Sequence, residues 1–338
     1  MIKNKHIKKI KVGLSLGDPN GVGLELILSI FQHKQYFKFF IPVLFAPIKI
    51  VQEQKKHFDF KTKLIKVTDS QLLIPGKLNV FDIKTKDIKL KFGEYSEKSG
   101  AIALLSLEAS NDAIKKGKVD ILVTAPINKK TIHSKKFHFK GHTDYFSNSF
   151  SGESLMFMVS KDLKIALITD HISIKEVSAI FSKKLLTKKI KQVLNSLKND
   201  FGIKNAKLAI LGLNPHSGEN GLIGTEDELI TKPVIRNYNN QEELVSGPFS
   251  ADSFFGSKNY KKFDAVLAIY HDQGLIPFKT LTFGKGVNYT AGLEIIRTSP
   301  DHGSAFDIAG KGIASSSSFE SALMIGREIF NLRKHPKS

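Results

Sequence analysis

The sequence predicts an α/β protein of two domains, in which mostly parallel sheets are flanked by helices. Short apolar runs rich in β-branched residues alternate with segments of helical periodicity, a pattern typical of βαβ units. The runs LKIALIT (163–169), LAILGL (208–213) and DAVLAIY (264–270) are apolar almost throughout, as expected of strands buried on both faces. At 338 residues the chain is long enough for two domains of ordinary size.

The remaining elements are predicted from their local patterns in chain order. Strands are expected at 9–16, 39–45, 64–67, 77–83 and 120–124, and helices at 24–33, 99–116, 182–200, from 225 onward and at 317–332. We expect Ser99 to cap the second of these helices and the third to begin at Ser182. The second is expected to be amphipathic, because apolar residues recur in it at near-helical spacing: Ile102, Leu105, Ala109 and Ile114. The runs 156–159 and 163–169 are expected to form a hairpin around Ser160 to Asp162.

The loop GDPNGVG (17–23) joins the first predicted strand to the first predicted helix. Its spacing is G-x-x-x-G-x-G, which matches neither the dinucleotide-binding turn nor the P-loop. We therefore predict a tight turn near the active site rather than a cofactor-binding loop.

A histidine follows each of the three long apolar runs: His171, His216 and His271. Ligands of open α/β sheets bind beyond the carboxyl ends of the strands, so these side chains could converge on one site. Imidazole is the commonest ligand of divalent transition metals, and a catalytic site typically uses three protein ligands. The spacing alone is equally compatible with histidines that only cap strand ends.

Composition limits the class of protein. The hydrophobic content of 41% with 25% charged residues indicates a globular chain, and no apolar run is long enough to cross a bilayer. The short apolar stretch after the N-terminal lysines lacks a cleavage site, so we predict a strand there and a cytoplasmic location. Because the chain has no cysteine, any metal must be held by His, Asp, Glu or Asn side chains.

The formal charge of +19 raises the question of nucleic-acid binding. The lysines are spread along the whole chain, the arginines number only four, and no aromatic residues interleave with basic ones to form a stacking surface. We therefore disfavour a nucleic-acid function and expect the charge at most to attract an anionic substrate.

Six motifs occur in order along the chain: GDPNGVG (17–23), TAPINK (124–129), GHTDYF (141–146), NPHSGENG (214–221), YHDQG (270–274) and RTSPDHG (297–303). Together they resemble those of the 4-hydroxythreonine-4-phosphate dehydrogenases, the PdxA family of vitamin B6 biosynthesis. The resemblance runs nearly end to end. Family members often have Ala at the position of Asn20 and Pro at that of Leu24, departures that affect the packing of the turn.

The resemblance implies the two-domain fold of the isocitrate and isopropylmalate dehydrogenases, with the active site in the interdomain cleft. Residues 1–126 and 281–338 would form the first domain, which carries the cofactor loop. Residues 127–280 would form the second, with metal and substrate residues and the dimer interface. Family members are homodimers with shared active sites, so the resemblance allows the three histidines of one site to come from both chains.

The resemblance also implies the roles of individual residues. One divalent metal per site, zinc, cobalt or magnesium, would bind His171, His216 and His271. The implied substrate residues are His142, Thr143, Lys279, Asn288 and Arg297. Lys279 would alternatively donate or accept a proton. For the carboxylate in GPFSAD (247–252), Asp252, two roles stay open: a general base or metal-shell residue, or an ordinary helix N-cap.

The segment HGSAFDIAGKGIA (302–314) is similar to the adenosine-binding loop of 3-isopropylmalate dehydrogenase, except that Phe306 replaces a proline. The resemblance assigns Gly303, Ser304 and Asp307 to the cofactor. A carboxylate at Asp307 would accept hydrogen bonds from a ribose and repel a 2′-phosphate, so NAD is expected rather than NADP. A Gly-rich surface loop is the alternative interpretation.

The implied reaction is NAD-dependent oxidation of 4-phosphooxy-L-threonine to 2-amino-3-oxo-4-phosphooxybutanoate. Decarboxylation then gives 3-amino-2-oxopropyl phosphate in pyridoxal 5′-phosphate biosynthesis. Two alternatives stay open at this stage. The substrate could be another phosphorylated hydroxy acid, such as threonate or erythronate 4-phosphate. The histidines could instead serve a metal-dependent hydrolase, in which the closing loop is only structural.

Overall fold

The computed structural model describes residues 9–68, 73–85, 89–135, 137–239 and 244–335. The chain forms two compact units. Unit 1 comprises Met1–Tyr145 and Ile295–Arg327, and unit 2 comprises Phe146–Glu294 and Glu328–Ser338. The domain boundaries predicted from the sequence, at 126/127 and 280/281, stay a prediction; the packing divides the chain at 145/146 and 294/295 instead.

The strands are β1 (Ile10–Ser15), β2 (Phe40–Ala46), β3 (Leu64–Val67), β4 (Leu78–Asp82), β5 (Ile121–Thr124), β6 (Gly152–Val159), β7 (Lys164–Leu167), β8 (Leu208–Leu211), β9 (Val245–Phe249), β10 (Ala265–Ala268), β11 (Val287–Leu293) and β12 (Arg297–Pro300).

The α-helices are α1 (Gly23–Phe31), α2 (Ile48–His57), α3 (Glu97–Lys115), α4 (Lys129–Ile132), α5 (His142–Ser149), α6 (Ile174–Ile180), α7 (Lys183–Phe201), α8 (Lys232–Asn239), α9 (Ala251–Gly256), α10 (His271–Thr282) and α11 (Ser317–Lys334).

Unit 1 contains a parallel sheet in the order β3-β4-β2-β1-β5-β12. Apart from the partly buried Ile41, the apolar residues of β1, β2 and β5 are buried, as the continuous apolar pattern of these strands predicts. The helix α3 packs against β1, β2 and β5.

Unit 2 contains the strand order β11-β6-β7-β10-β8-β9. Strands β7, β10, β8 and β9 run parallel, whereas β6 pairs antiparallel with both β7 and β11. Every residue of β8 and β10 is buried. The predicted hairpin is present, closed by a hydrogen bond from the Ser160 amide to the Leu163 carbonyl. The predicted α/β class with a mostly parallel sheet is confirmed.

Two details of the sequence-based helix predictions are wrong. The N-cap of α3 is Ser96 rather than Ser99, and its hydroxyl accepts a hydrogen bond from the Ser99 amide. Ser99 lies in the first turn instead, where it contacts Asp18. Leu105, expected on the apolar face of this helix, is 39% exposed. By contrast, α7 begins at the predicted position: Ser182 is its N-cap, and the Ser182 hydroxyl accepts a hydrogen bond from the Leu185 amide.

Among the described residues, no helix is both long enough and apolar enough to span a membrane.

Candidate functional site

Three neighbouring parallel strands of unit 2 lead to the three predicted metal ligands. Strands β7, β10 and β8 are adjacent in the sheet and end at Leu167, Ala268 and Leu211. The carboxyl ends of parallel strands meet at one edge, so the segments that carry His171, His271 and His216 all leave the sheet there. His271 is the first residue of α10, directly beyond this edge.

The structure brings two of these histidines together. The rings of His171 and His271 have centroids 5.6 Å apart, and both side chains are partly exposed. The Nδ1 atom of His271 lies 2.7 Å from Oδ1 of Asp272. In the neutral tautomer with the proton on Nδ1, His271 donates to this carboxylate, and its Nε2 keeps a lone pair that a metal can bind.

His216 lies in an unusual left-handed turn. His216, Ser217, Gly218, Glu219 and Asn220 all have positive φ, between 44° and 79°. L-residues adopt this conformation at a cost of roughly 1–2 kcal/mol each, and such strain collects at functional sites. The described residues contain no group of three His, Asp or Glu side chains that could hold a metal, so one chain does not unite His216 with the other two.

The buried carboxylate of Asp227 forms hydrogen bonds with the backbone that leads into this turn. Its two oxygens accept the amide hydrogens of Leu213 and Asn214, at 3.0 and 3.1 Å, and Oδ1 also accepts the hydroxyl of Thr231. The chain entering the turn is therefore fixed by hydrogen bonds just before His216.

Asp252 lies close enough to His216 for its pKa to be affected. The Ser250 hydroxyl is the main cause that lowers the pKa of this carboxyl, and the His216 charge contributes as well. Of the two roles left open for Asp252, the helix N-cap does not apply, because Ser250 occupies the N-cap of α9 and Asp252 lies within the first turn. A lowered pKa makes Asp252 a weak proton acceptor near neutral pH.

The two predicted substrate-binding residues of unit 2, Lys279 and Asn288, differ in burial. Lys279 is exposed on α10, two turns after His271. Asn288 lies in β11 opposite Met158, and its side-chain oxygen is buried without a hydrogen-bond partner among the described residues. A buried acceptor without a partner is costly unless a ligand supplies the donor, so Asn288 is suited to bind one.

In unit 1, three of the predicted substrate residues occur around the start of α5. His142 and Thr143 are its first two residues, and the charges of Arg297 and Lys129 both act on His142. Burial, followed by these two charges, holds the pKa of His142 well below its ordinary value. The imidazole is therefore neutral at neutral pH, and its Nε2 is buried with no partner among the described residues.

Arg297 is 2% exposed, at the start of β12. Its Nε and Nη2 atoms donate to the Thr124 hydroxyl, at 3.0 and 2.6 Å. Burial lowers the pKa of its guanidinium to about 9, so it remains a cation at neutral pH. A buried cation beside a helix N-terminus is suited to bind a phosphate or carboxylate.

The predicted cofactor loop also lies in unit 1. The Ser304 carbonyl accepts a hydrogen bond from the Val22 amide, so the loop packs on the GDPNGVG turn. Gly303 and Asp307 are exposed, and a side chain at Gly303 would meet no atom within 4 Å. At the C-terminal end of the loop, the Glu25 carboxylate accepts a hydrogen bond from the Ala314 amide.

Several supporting residues escaped the sequence-based predictions. Asp18 is fully buried and accepts hydrogen bonds from the Asn20 amide and the hydroxyls of Ser99 and Thr131. Burial is the main influence on the pKa of Asp18, which it raises. The GDPNGVG motif includes Asp18, but the sequence does not predict its partners Ser99 and Thr131, which are distant along the chain.

Comparison with known proteins shows the family to which the chain belongs. The family described as pyridoxal phosphate biosynthetic protein PdxA matches residues 38–326, most of the chain. The chain belongs to the PdxA family. The resemblance predicted from the six motifs is thereby confirmed.

Individual relatives of this PdxA protein carry two different names. A 4-hydroxythreonine-4-phosphate dehydrogenase of Bacteroides thetaiotaomicron is 39% identical, over 98% of this chain and 91% of the relative. A protein of Cutibacterium acnes, provisionally named as a D-threonate 4-phosphate dehydrogenase, is 36% identical over 94% of this chain and 93% of its own length.

A solved structure shares the whole fold. The 4-hydroxythreonine-4-phosphate dehydrogenase of Klebsiella pneumoniae superposes with a TM-score of 0.83 at 29% identity. The match covers 96% of this chain and 99% of that one. The fold of this chain is therefore similar to that of a solved dehydrogenase over 96% of its length.

Proposed function

We propose that this protein is an NAD-dependent 4-hydroxythreonine-4-phosphate dehydrogenase. It would oxidise 4-phosphooxy-L-threonine to 2-amino-3-oxo-4-phosphooxybutanoate, which loses CO2 to give 3-amino-2-oxopropyl phosphate on the way to pyridoxal 5′-phosphate. Membership of the PdxA family supports the pathway and the relatives' names support the reaction. The observation that carries the chemistry is the pair His171 and His271 at the ends of adjacent parallel strands.

The side chains beyond the carboxyl ends of β7 and β10 are suited to bind a divalent metal. Two imidazoles lie side by side, and Asp272 fixes the tautomer of one of them. A divalent metal bound there would lower the pKa of a substrate hydroxyl and polarise the resulting carbonyl. Which metal is used, zinc, cobalt or magnesium, is a matter for direct measurement.

A second copy of the chain would complete the ligand set. The described residues of one chain offer no group of three ligands, which supports a homodimer in which His216 and the His171–His271 pair of one site belong to different copies. The homodimer predicted from the sequence stays a proposal on this basis.

The anionic groups of the substrate have suitable partners. Neutral His142 with its buried Nε2, Thr143 at the start of α5 and the buried Arg297 cation would bind a phosphate or carboxylate. Asn288 would accept an N–H or O–H of the substrate at its buried oxygen. Lys279 would supply or remove a proton, a role that its exposure to solvent allows.

NAD would bind the loop around Gly303, Ser304 and Asp307 and would accept the hydride. The exposed Asp307 carboxylate would accept the ribose hydroxyls, and the open space at Gly303 would let the backbone approach the nucleotide. The cytoplasmic location stays a prediction.

A second candidate substrate follows from the relative of Cutibacterium acnes, whose name points to D-threonate 4-phosphate. The two substrates differ at C2, which bears an ammonium group in one and a hydroxyl group in the other. The metal and cofactor residues would be the same for both.

Comparing kcat/KM for 4-phosphooxy-L-threonine, D-threonate 4-phosphate and D-erythronate 4-phosphate tests the substrate assignment. The proposal predicts a preference of at least ~10-fold for the amino substrate, the effect of one lost charge-assisted hydrogen bond. A preference for threonate or erythronate phosphate would keep the fold and reaction type but reject the role in vitamin B6 synthesis. No NAD reduction with any of them would favour the hydrolase alternative.

A further inference from the structure

A continuous chain of hydrogen bonds crosses the three strand ends of unit 2. The amide and the hydroxyl of Thr169 both donate to the Ile269 carbonyl, at 3.1 and 2.8 Å. The Ile269 amide donates to Oε1 of Gln273 at 2.7 Å, and Nε2 of Gln273 donates to the Gly212 carbonyl at 2.6 Å. The backbone of one residue, Ile269, and the side-chain amide of Gln273 thus join all three ends.

Each member of this chain is close in sequence to one predicted metal ligand. Thr169 precedes His171 by two residues, Gln273 follows His271 by two, and Gly212 precedes His216 by four. The strands themselves end earlier, at Leu167, Ala268 and Leu211. The hydrogen bonds therefore extend the register of the sheet beyond the strands, into the segments that carry the histidines.

The hydrogen bonds at position 273 require a glutamine side chain. Its partners are one backbone donor and one backbone acceptor, so it must offer an acceptor and a donor at the end of one side chain. Glutamate would keep the acceptor for Ile269 but place a carboxylate against the Gly212 carbonyl. Methionine has a similar length and offers neither of the two strong hydrogen bonds.

Packing at Gly212 transmits this restraint to the left-handed turn. A Cβ at Gly212 would lie 2.7 Å from the hydroxyl and 2.9 Å from Cα of Ser217, the neighbour of His216. The Gly212 amide donates to the Phe249 carbonyl, and Ser217 donates to the Pro248 carbonyl. A shift of Gly212 toward Ser217 would therefore press on the residue next to His216.

We propose that Gln273, assisted by Thr169, is a positioning residue for the proposed metal sites. It holds the His171–His271 pair of its own chain in register with the segment that carries His216, which would serve the site completed by the second copy. This inference rests on the metal site of the proposed function and deepens it. Gln273 acts through the backbone of Ile269 and Gly212 and not by contact with the metal.

The test compares Gln273→Met and Thr169→Val with a matched control, Gln192→Met. Gln192 also lies in unit 2 and donates from its side-chain amide to a backbone carbonyl, that of Glu153, so the control loses the same kind of bond. Co²⁺ is titrated into each full-length protein, and the dissociation constant and visible absorption spectrum of the bound ion are recorded with the Tm.

Gln273→Met should weaken Co²⁺ binding by about 10–100-fold and change the spectrum, as outer-shell changes do. Thr169→Val should weaken Co²⁺ binding less, because the backbone amide of residue 169 still donates its hydrogen bond to the Ile269 carbonyl. Gln192→Met should keep the wild-type affinity and spectrum. Equal Co²⁺ affinity and spectrum in Gln273→Met and wild type, or an equal loss in the control, would overturn the proposal.

If Gln273→Met does not fold, Gln273→Glu decides the matter, since it keeps the bond to Ile269 and loses only the one to Gly212. Unchanged Co²⁺ binding in that variant would reject the positioning role. Failure of the metal site itself gives a different result, because wild-type protein would then bind Co²⁺ no better than His171→Ala.

Discussion

The imidazole rings of His171 and His271 lie 5.6 Å apart, although the two residues belong to distant segments of the chain. Strands β7 and β10 are hydrogen-bonded in parallel, and each histidine lies a few residues beyond the end of its strand. Parallel pairing is therefore what brings the two side chains together. This pair is the centre of the proposed metal site, and its consequences can be measured.

Replacing either histidine should remove metal binding. We expect His171→Ala and His271→Ala to weaken Co²⁺ affinity by at least about 100-fold, beyond the typical effect of an outer-shell change. Isothermal titration with Co²⁺ measures the loss, and His33→Ala, an exposed histidine of unit 1, serves as the control. Wild-type affinity in both site variants would mean that the pair does not bind a metal.

Arg297 should control the binding of the anionic substrate. Arg297→Lys keeps a positive charge but loses the two-pronged contact with Thr124, so we expect KM to rise by roughly 10–100-fold with a smaller change in kcat. Steady-state kinetics measure this effect. The exposed Arg236→Lys is the matched control, and an equal KM in all three proteins would exclude Arg297 from substrate binding.

The pH dependence of stability should report on His142. Its pKa in the folded protein is depressed by burial and by the charges of Arg297 and Lys129. Below about pH 6.5 the unfolded chain therefore binds a proton that the folded chain does not, and stability falls with falling pH by up to about 1.4 kcal/mol per pH unit.

Urea unfolding on either side of about pH 6.5 tests this expectation. His142→Gln should lose part of the wild-type pH dependence, whereas the exposed His133→Gln should retain all of it. A wild-type slope in His142→Gln would show that this histidine is protonated equally well in the folded and unfolded chain.

Arg333 should stabilise unit 2 without affecting the metal site. Its Nε donates to Asp200 at 2.8 Å and its Nη2 to the Tyr289 hydroxyl at 2.9 Å, and Asp200 is buried. Arg333→Met leaves a buried carboxylate without its cation, so the free energy of unfolding should fall by about 3 kcal/mol. Chemical denaturation measures the fall. Co²⁺ affinity should be unchanged, and a loss of affinity would contradict a purely structural role.

The sequence predicted most strands because their apolar runs are continuous and bounded by turn residues. β3 was predicted with its observed bounds, Leu64–Val67. The three strands that precede His171, His216 and His271 were also predicted, but each ends two residues earlier than expected. The family was confirmed because six ordered motifs are specific together, while each one alone is weak.

Features that depend on tertiary contacts escaped prediction. Ser96 and Ser99 suit a helix N-cap equally well, and the buried carboxylate of Asp18, distant in sequence, binds Ser99 inside the helix. The left-handed turn at His216 could not be predicted either, since His, Ser and Glu rarely adopt positive φ. The hydrogen bonds of Gln273 depend on strand order, which the sequence does not state.

The most direct test of the proposed function is NADH formation from 4-phosphooxy-L-threonine and NAD, measured before and after chelation and after Co²⁺, Zn²⁺ or Mg²⁺ is restored. We predict NADH formation that stops on chelation, returns with a divalent metal and is absent in His271→Ala. Full activity after complete removal of metal, or in His271→Ala, would contradict the proposal that these strand-end histidines form the catalytic metal site.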